Sequence, residues 1–152
     1  MIANKLRLLL SLAASLAVAV PLTASAQFAK KDDAIKYRQS AFSLMGTHMK
    51  RIEAVVKGET PFNAADVQKN AALIATLSEL PWAAFGSGTE GGKAKPEIWK
   101  EAAKFKEGSE KMMKAAVTLN TAAKSGNLDQ IKKAFGDTGG TCKGCHDNYK
   151  DK

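Results

Sequence analysis

Near the C-terminus of this 152-residue chain, Cys142 and Cys145 are separated by two residues and His146 follows directly. No other feature restricts the fold as much. C-x-x-C-H is the attachment pattern of a c-type haem. Two thiols one helical turn apart can each add to one vinyl group of the porphyrin, and the adjoining imidazole can bind the iron. A chain modified in this way must fold round a large flat group held close to its end. A bare C-x-x-C is also compatible with a redox disulfide or with half a zinc site. The redox reading needs a βαβ context, and the sequence shows no such pattern. The zinc reading needs two or more further ligands. The chain has no other cysteine, and His48 is its one other histidine.

The first residues predict export. Lys5 and Arg7 open a segment whose apolar run extends from Leu8 to Val20. Pro21 breaks the run, and Ala24-Ser25-Ala26 forms a small-residue cleavage site before Gln27. The run is short for a membrane span. Residues 1–26 are therefore read as a cleaved signal peptide, and residues 27–152 as one domain without a membrane span. The formal charge of +8 loses Lys5 and Arg7 with the leader, leaving +6. That balance suits acidic partner surfaces. Scattered lysines with little arginine, in an exported chain, argue against nucleic acid. Both cysteines belong to the haem motif, so no disulfide is expected.

Strand signals are almost absent, and apolar residues recur at helical spacing. A first helix is predicted from about Asp32 to Lys57, stopped by Gly58 and Pro61. Its stripe runs Ile35, Arg38, Phe42, Met45, Met49, Ile52, Val56, in steps of three and four. Arg38 is the one charge on that stripe and needs a buried acceptor. A haem propionate would serve through two bonds; pairing with a carboxylate elsewhere, or snorkelling to solvent, are the alternatives. The second helix starts at the Asn63 cap, buries Val67, Ala71, Ile74 and Leu77, and ends at Pro81. Trp82 and Phe85 lie in the long connection that follows and read as loop anchors on the core. Pro96 opens a third helix with the stripe Ile98, Ala102, Phe105, Ser109, Met112, Ala116, Leu119, Ala123. Gly126 closes it, and Asn127 with Gln130 forms a capping box for the fourth. There Leu128, Ile131, Phe135, Thr138, Cys142, Cys145 and Tyr149 share one seam, which puts the haem inside the bundle. Gly136, Gly139 and Gly140 either let the porphyrin approach the backbone or break the helix.

These features together resemble the cytochromes c′. The resemblance rests on Tyr37-Arg38-Gln39-Ser40, on Leu80-Pro81-Trp82-Ala83-Ala84-Phe85, on Lys95-Pro96-Glu97-Ile98-Trp99 and on Cys142 to His146. It implies an all-α fold, an antiparallel up-down-up-down four-helix bundle enclosing one covalent c-type haem. It implies thioether bonds to Cys142 and Cys145, with His146 as axial ligand to a five-coordinate iron. It further implies haem contacts from Arg38, Gln39, Thr89 and Glu90, and a distal face capped by Phe42 where relatives often carry an aliphatic residue. Lys150 takes the proximal-face position where relatives often have arginine, which keeps the charge and loses the fork. A homodimer through the first two helices is implied as well.

The function expected is that of a periplasmic monohaem cytochrome, not an enzyme. It would exchange single electrons with periplasmic donor and acceptor proteins and bind nitric oxide and carbon monoxide. A low-spin, Met-ligated electron carrier on the same bundle is the alternative, since Met45, Met49, Met112 and Met113 are present. A weak haem peroxidase or nitric oxide-detoxifying enzyme is a second alternative. Peroxide cleavage wants an acid–base group over the iron, and Phe42, Met45 and Met49 cannot supply one.

Overall fold

The computed structural model describes residues 27–152; the predicted leader lies outside them. Four long helices carry the fold: α1 (Lys31–Val56), α2 (Ala64–Leu77), α4 (Ala102–Ser125) and α5 (Leu128–Tyr149). A 3₁₀ helix (Pro81–Phe85) and the single-turn α3 (Glu97–Lys100) lie in the connection between α2 and α4. Helix α1 packs on α2 and α5, and α4 packs on the same two, which closes an antiparallel four-helix bundle. Among the described residues, no helix is long and apolar enough to cross a membrane.

The helix ends follow local chemistry. Asp32 and Asp33 sit in the first turn of α1, where the helix dipole favours negative charge. Gly58 adopts φ +76°, the left-handed position that ends α1, and its N–H reaches the Val55 carbonyl. Asn63 accepts from the N–H groups of Ala65 and Asp66 at the start of α2. Asn127 accepts from the Gln130 N–H at the start of α5. The reciprocal half of that capping box is relayed: Ser125 Oγ donates to Gln130 Oε1 and accepts from the Asn127 N–H.

The bundle has two unlike ends. At one, Ile52, Val67, Ala71, Ile74, Ala116, Leu119, Ala122, Ala123, Ile131 and Ala134 form the buried core. Half of them are alanines, so the helix axes can approach closely. At the other end the same helices diverge round a cavity. There the connection between α2 and α4 is stitched to the end of α5. Ala94 and Lys150 form an antiparallel bridge, flanked by Lys95 N–H to Tyr149 O (3.0 Å) and Asp151 N–H to Lys93 O (2.9 Å).

One expectation needs correction. The third helix is not continuous from Pro96: it breaks at Glu101 (φ −111°, ψ 40°) into α3 and α4. The break resets the helical phase. Ile98 is buried, but Ala102, counted on the buried stripe, faces solvent. Tyr149 Oη donates to Glu101 Oε2 at this point. Of the two readings left open for Gly136, Gly139 and Gly140, the break does not occur: α5 continues through the cysteines to Tyr149.

Leu119 is fully buried, whereas Val117 is 52 % exposed. Leu119→Ala should cost about 2–5 kcal/mol in denaturant unfolding of the holoprotein. Val117→Ala should stay within about 0.5 kcal/mol. Equal effects would contradict this account of the core.

Candidate functional site

The cavity at the open end measures about 710 Å³, within the ~300–1,000 Å³ range of cofactor and ligand pockets. Helix α1 gives it one wall and α5 the opposite one. The connection between α2 and α4 and the first half of α4 supply the third side. Both cysteines line it, one helical turn apart, together with His146. Their thiols are half-buried and free of each other. Desolvation pushes both thiol pKa values up. Partial burial, and then the Lys150 charge, push His146 below its ordinary value. Both influences favour the neutral imidazole that metal binding requires.

The cavity wall borders main chain at two glycines. Gly46 of α1 and Gly139 of α5 both line it, and a Cβ at either would meet no atom within 4 Å. The helix backbone can therefore be approached closely from both walls. Elsewhere the lining is apolar and sulfur-rich: Phe42, Met45 and Met49 on α1, Met112 on α4, Phe135 on α5. A flat apolar macrocycle held by two thioethers and one imidazole fits this set of donors and walls.

Arg38 is buried, with 3 % of its surface exposed, and its acceptors are main-chain carbonyls. Nη1 donates to Ala84 O (2.7 Å) and Thr89 O (2.8 Å), and Nη2 to Gly91 O (2.8 Å). The guanidinium also lies 4.5 Å from the Phe85 ring centroid and 5.7 Å from that of Trp99. Burial lowers its pKa and the Glu90 charge partly offsets this, but guanidinium stays cationic. It uses three of its five N–H donors in these close bonds, and it lines the cavity.

Gln39, Phe42 and Lys150 also line the cavity, beside Arg38, Cys142, Cys145 and His146. Thr89 and Glu90 do not. Thr89 is buried behind Arg38, its Oγ1 donating to Gly86 O (2.7 Å). Glu90 is exposed and its Oε1 accepts from the Gly88 N–H. His48 lies off the cavity, with Nδ1 2.8 Å from Asn70 Oδ1. Spacing had not assigned Trp82, Phe85 and Phe105 to the site. Phe42 packs against Trp82 (centroids 5.7 Å apart) and Phe85 (6.3 Å), and Phe105 meets both Phe85 (4.9 Å) and Tyr149 (5.3 Å). These rings form one aromatic wall from α1 to α5. A Trp and a Phe three residues apart ahead of a glycine-rich loop are its trace in the sequence.

The family model described as Cytochrome C′ matches residues 33–150. A cytochrome c′ of Alcaligenes xylosoxydans xylosoxydans is 53 % identical over 126 residues, covering 83 % of this chain and 99 % of that one. A cytochrome c′ of Rubrivivax gelatinosus is 50 % identical, covering 83 % and 100 %. The solved recombinant cytochrome c′ of Alcaligenes xylosoxidans superposes with a TM-score of 0.80 at 52 % identity, covering 83 % and 100 %. A ferrous variant of that protein with bound nitric oxide has a TM-score of 0.80 at 53 % identity, covering 83 % and 99 %.

Arg38→Lys retains the charge but not the fork that spans three carbonyls. The variant should lose about 1–3 kcal/mol and speed amide exchange across residues 84–95, read by hydrogen–deuterium exchange. Unchanged exchange there would remove Arg38 as the holder of this segment.

Proposed function

The chain belongs to the cytochrome c′ family, and from that premise we propose that it is an exported, five-coordinate cytochrome that exchanges single electrons and binds nitric oxide and carbon monoxide. It carries one haem c, whose iron supplies a one-electron couple and, when reduced, a site for small uncharged gases. Cys142 and Cys145 hold the porphyrin, and His146 provides the axial nitrogen. Lys150, four residues on, keeps a positive charge beside that nitrogen. Arg38, with N–H groups beyond those given to the loop, and Gln39 contact the haem edge. Thr89 positions Arg38 from behind, and Glu90, off the cavity, acts on Arg38 through its charge.

One observation carries the five-coordinate reading: on the α1 wall Phe42 occupies a packed place against Trp82 and Phe85. A phenyl ring excludes water and cannot bind iron. The relative solved with nitric oxide bound supports the gas ligand. The family supports a carrier in preference to an enzyme. Along α1 the ionisable lining groups are Arg38, Lys50 and Glu53, and Glu53 is already paired with Lys57 at 2.6 Å. None of these is a free acid–base group of the kind peroxide chemistry needs.

A second reading has its own observation. Met45, Met49 and Met112 all line the cavity, so a thioether is at hand for a six-coordinate, low-spin carrier. In either case residues 1–26 direct the chain to the periplasm, and its net positive charge suits acidic redox partners. Leu44 of α1 and Leu73 of α2, both exposed, suit pairing of two copies through those helices.

Absorption spectra of the purified ferric and ferrous protein should show a covalently attached high-spin haem. A low-spin ferrous spectrum with a sulfur ligand would replace this reading with the second. Phe42→Ala should speed carbon monoxide association to the ferrous protein in stopped-flow mixing. An unchanged rate would take Phe42 out of the distal pocket.

A further inference from the structure

A second cavity, of about 430 Å³, lies on the outer side of the aromatic wall. It shares Trp82, Phe85, Ile98 and Phe105 with the first cavity. The same side chains therefore face a solvent-open hollow on one side and the proposed haem cavity on the other. We propose that this outer cavity is the docking and access site for the small uncharged gas, which passes between the rings of the wall to reach the Phe42 side. The proposal rests on the gas-binding reading above and adds a route to it.

The lining favours a neutral, apolar guest. Aromatic rings and Ile98 form its floor, and the charged groups at its rim offer little to an anion. Lys106 is paired with Glu110, and the Glu90 carboxylate repels anions. A diatomic with no charge gains from apolar contact and loses little hydration on leaving water.

The wall has a fixed part and a movable part. Trp82 is pinned by its Nε1 donating to Ser78 O at 2.6 Å. Phe85 and Phe105 donate and accept no hydrogen bond through their side chains: they are held by ring contacts, 4.9 Å apart by centroid, and Phe85 also by the Arg38 guanidinium 4.5 Å from its centroid. Rotation of these two rings opens the partition without breaking a hydrogen bond. Phe42 stands directly behind Trp82 and Phe85, so the opening leads to the side of the cavity where a sixth ligand would bind.

Ala102 tests the route from outside. It lines the outer cavity, is exposed at the start of α4, and does not line the first cavity. In the ferrous holoprotein, Ala102→Trp should slow carbon monoxide association severalfold and slow dissociation by the same factor, because an access barrier is crossed in both directions. The equilibrium affinity should not change, and Ala102→Ser should leave both rates alone. In crystals pressurised with xenon, the native protein should hold xenon in the outer cavity, and Ala102→Trp should not. Rates unchanged in Ala102→Trp would overturn the route while leaving gas binding intact. So would a changed affinity, or native crystals without xenon there. A native protein that takes up no carbon monoxide would sink the gas-binding reading and the route with it.

Discussion

A single buried guanidinium ties together the end of the bundle where the helices diverge. Arg38 rises from α1 and grips the carbonyls of Ala84, Thr89 and Gly91 across the connection between α2 and α4. That connection is joined a few residues later to the end of α5 through Ala94 and Lys150. The two helices forming opposite cavity walls are therefore linked through one loop with a cation at its centre. No carboxylate sits within ion-pair reach of Arg38 among the described residues. Oriented carbonyl dipoles and the faces of Phe85 and Trp99 compensate the charge instead. A carboxylate could not do this as well, because it would fix Arg38 to one point and take from the loop the donor that joins Ala84, Thr89 and Gly91.

The opposite end of the bundle makes the open end affordable. Alanines at 71, 116, 122, 123 and 134 interleave with Ile52, Ile74, Leu119 and Ile131, giving a dense core of short side chains. The second half of α4 and the first half of α5 meet there, directly joined at Gly126 and Asn127. Their other halves carry Phe105, Met112 and the cysteines and enclose the cavity, and Phe135 lines it from the core side. Thr138 stands at the boundary, its Oγ1 donating to Ala134 O within α5 and to Ala115 O of α4. The change from small to large side chains along each helix is thus what converts one continuous bundle into a core and a binding cavity.

Much of this was legible in the sequence because it depends on period and on local caps. The spacing of Ile131, Thr138, Cys142, Cys145 and Tyr149 requires the thiols to share the inner line of α5. Asn63, Asn127, Gly58 and Gly126 mark helix ends through bonds to near neighbours. What was not legible depends on distant partners. The acceptors of Arg38 lie 46 to 53 residues away and are main-chain atoms, which leave no trace in side-chain pattern. The break at Glu101 is hidden because Ile98 and Phe105 keep a helical spacing across it, and only the backbone at Glu101 and the exposure of Ala102 show the shift of phase. Gly136, Gly139 and Gly140 are helix-weakening on propensity alone. Burial of Ala134, Thr138 and Tyr149 on the same helix outweighs that cost. Trp82 and Phe85 read as loop anchors, yet they have cavity on both sides.

That last difference bears on how the proposed open iron site would behave. An aliphatic shield at position 42 would move as one side chain. Phe42 instead belongs to a connected set of rings, each neighbouring pair contributing ~0.5–1.5 kcal/mol beyond burial. Displacing it disturbs Trp82 and Phe85, and through them Phe105 and Tyr149, which sits three residues beyond the proposed axial His146. The side of the cavity where the proposed iron would receive a ligand and the helix that carries His146 are therefore in mechanical contact through aromatic packing, beside their link through the Arg38 loop. The rings that retain Phe42 are also the rings a gas would have to part. A barrier on access and a barrier on Phe42 displacement would then be two properties of one wall, set together by how tightly Phe85 and Phe105 pack.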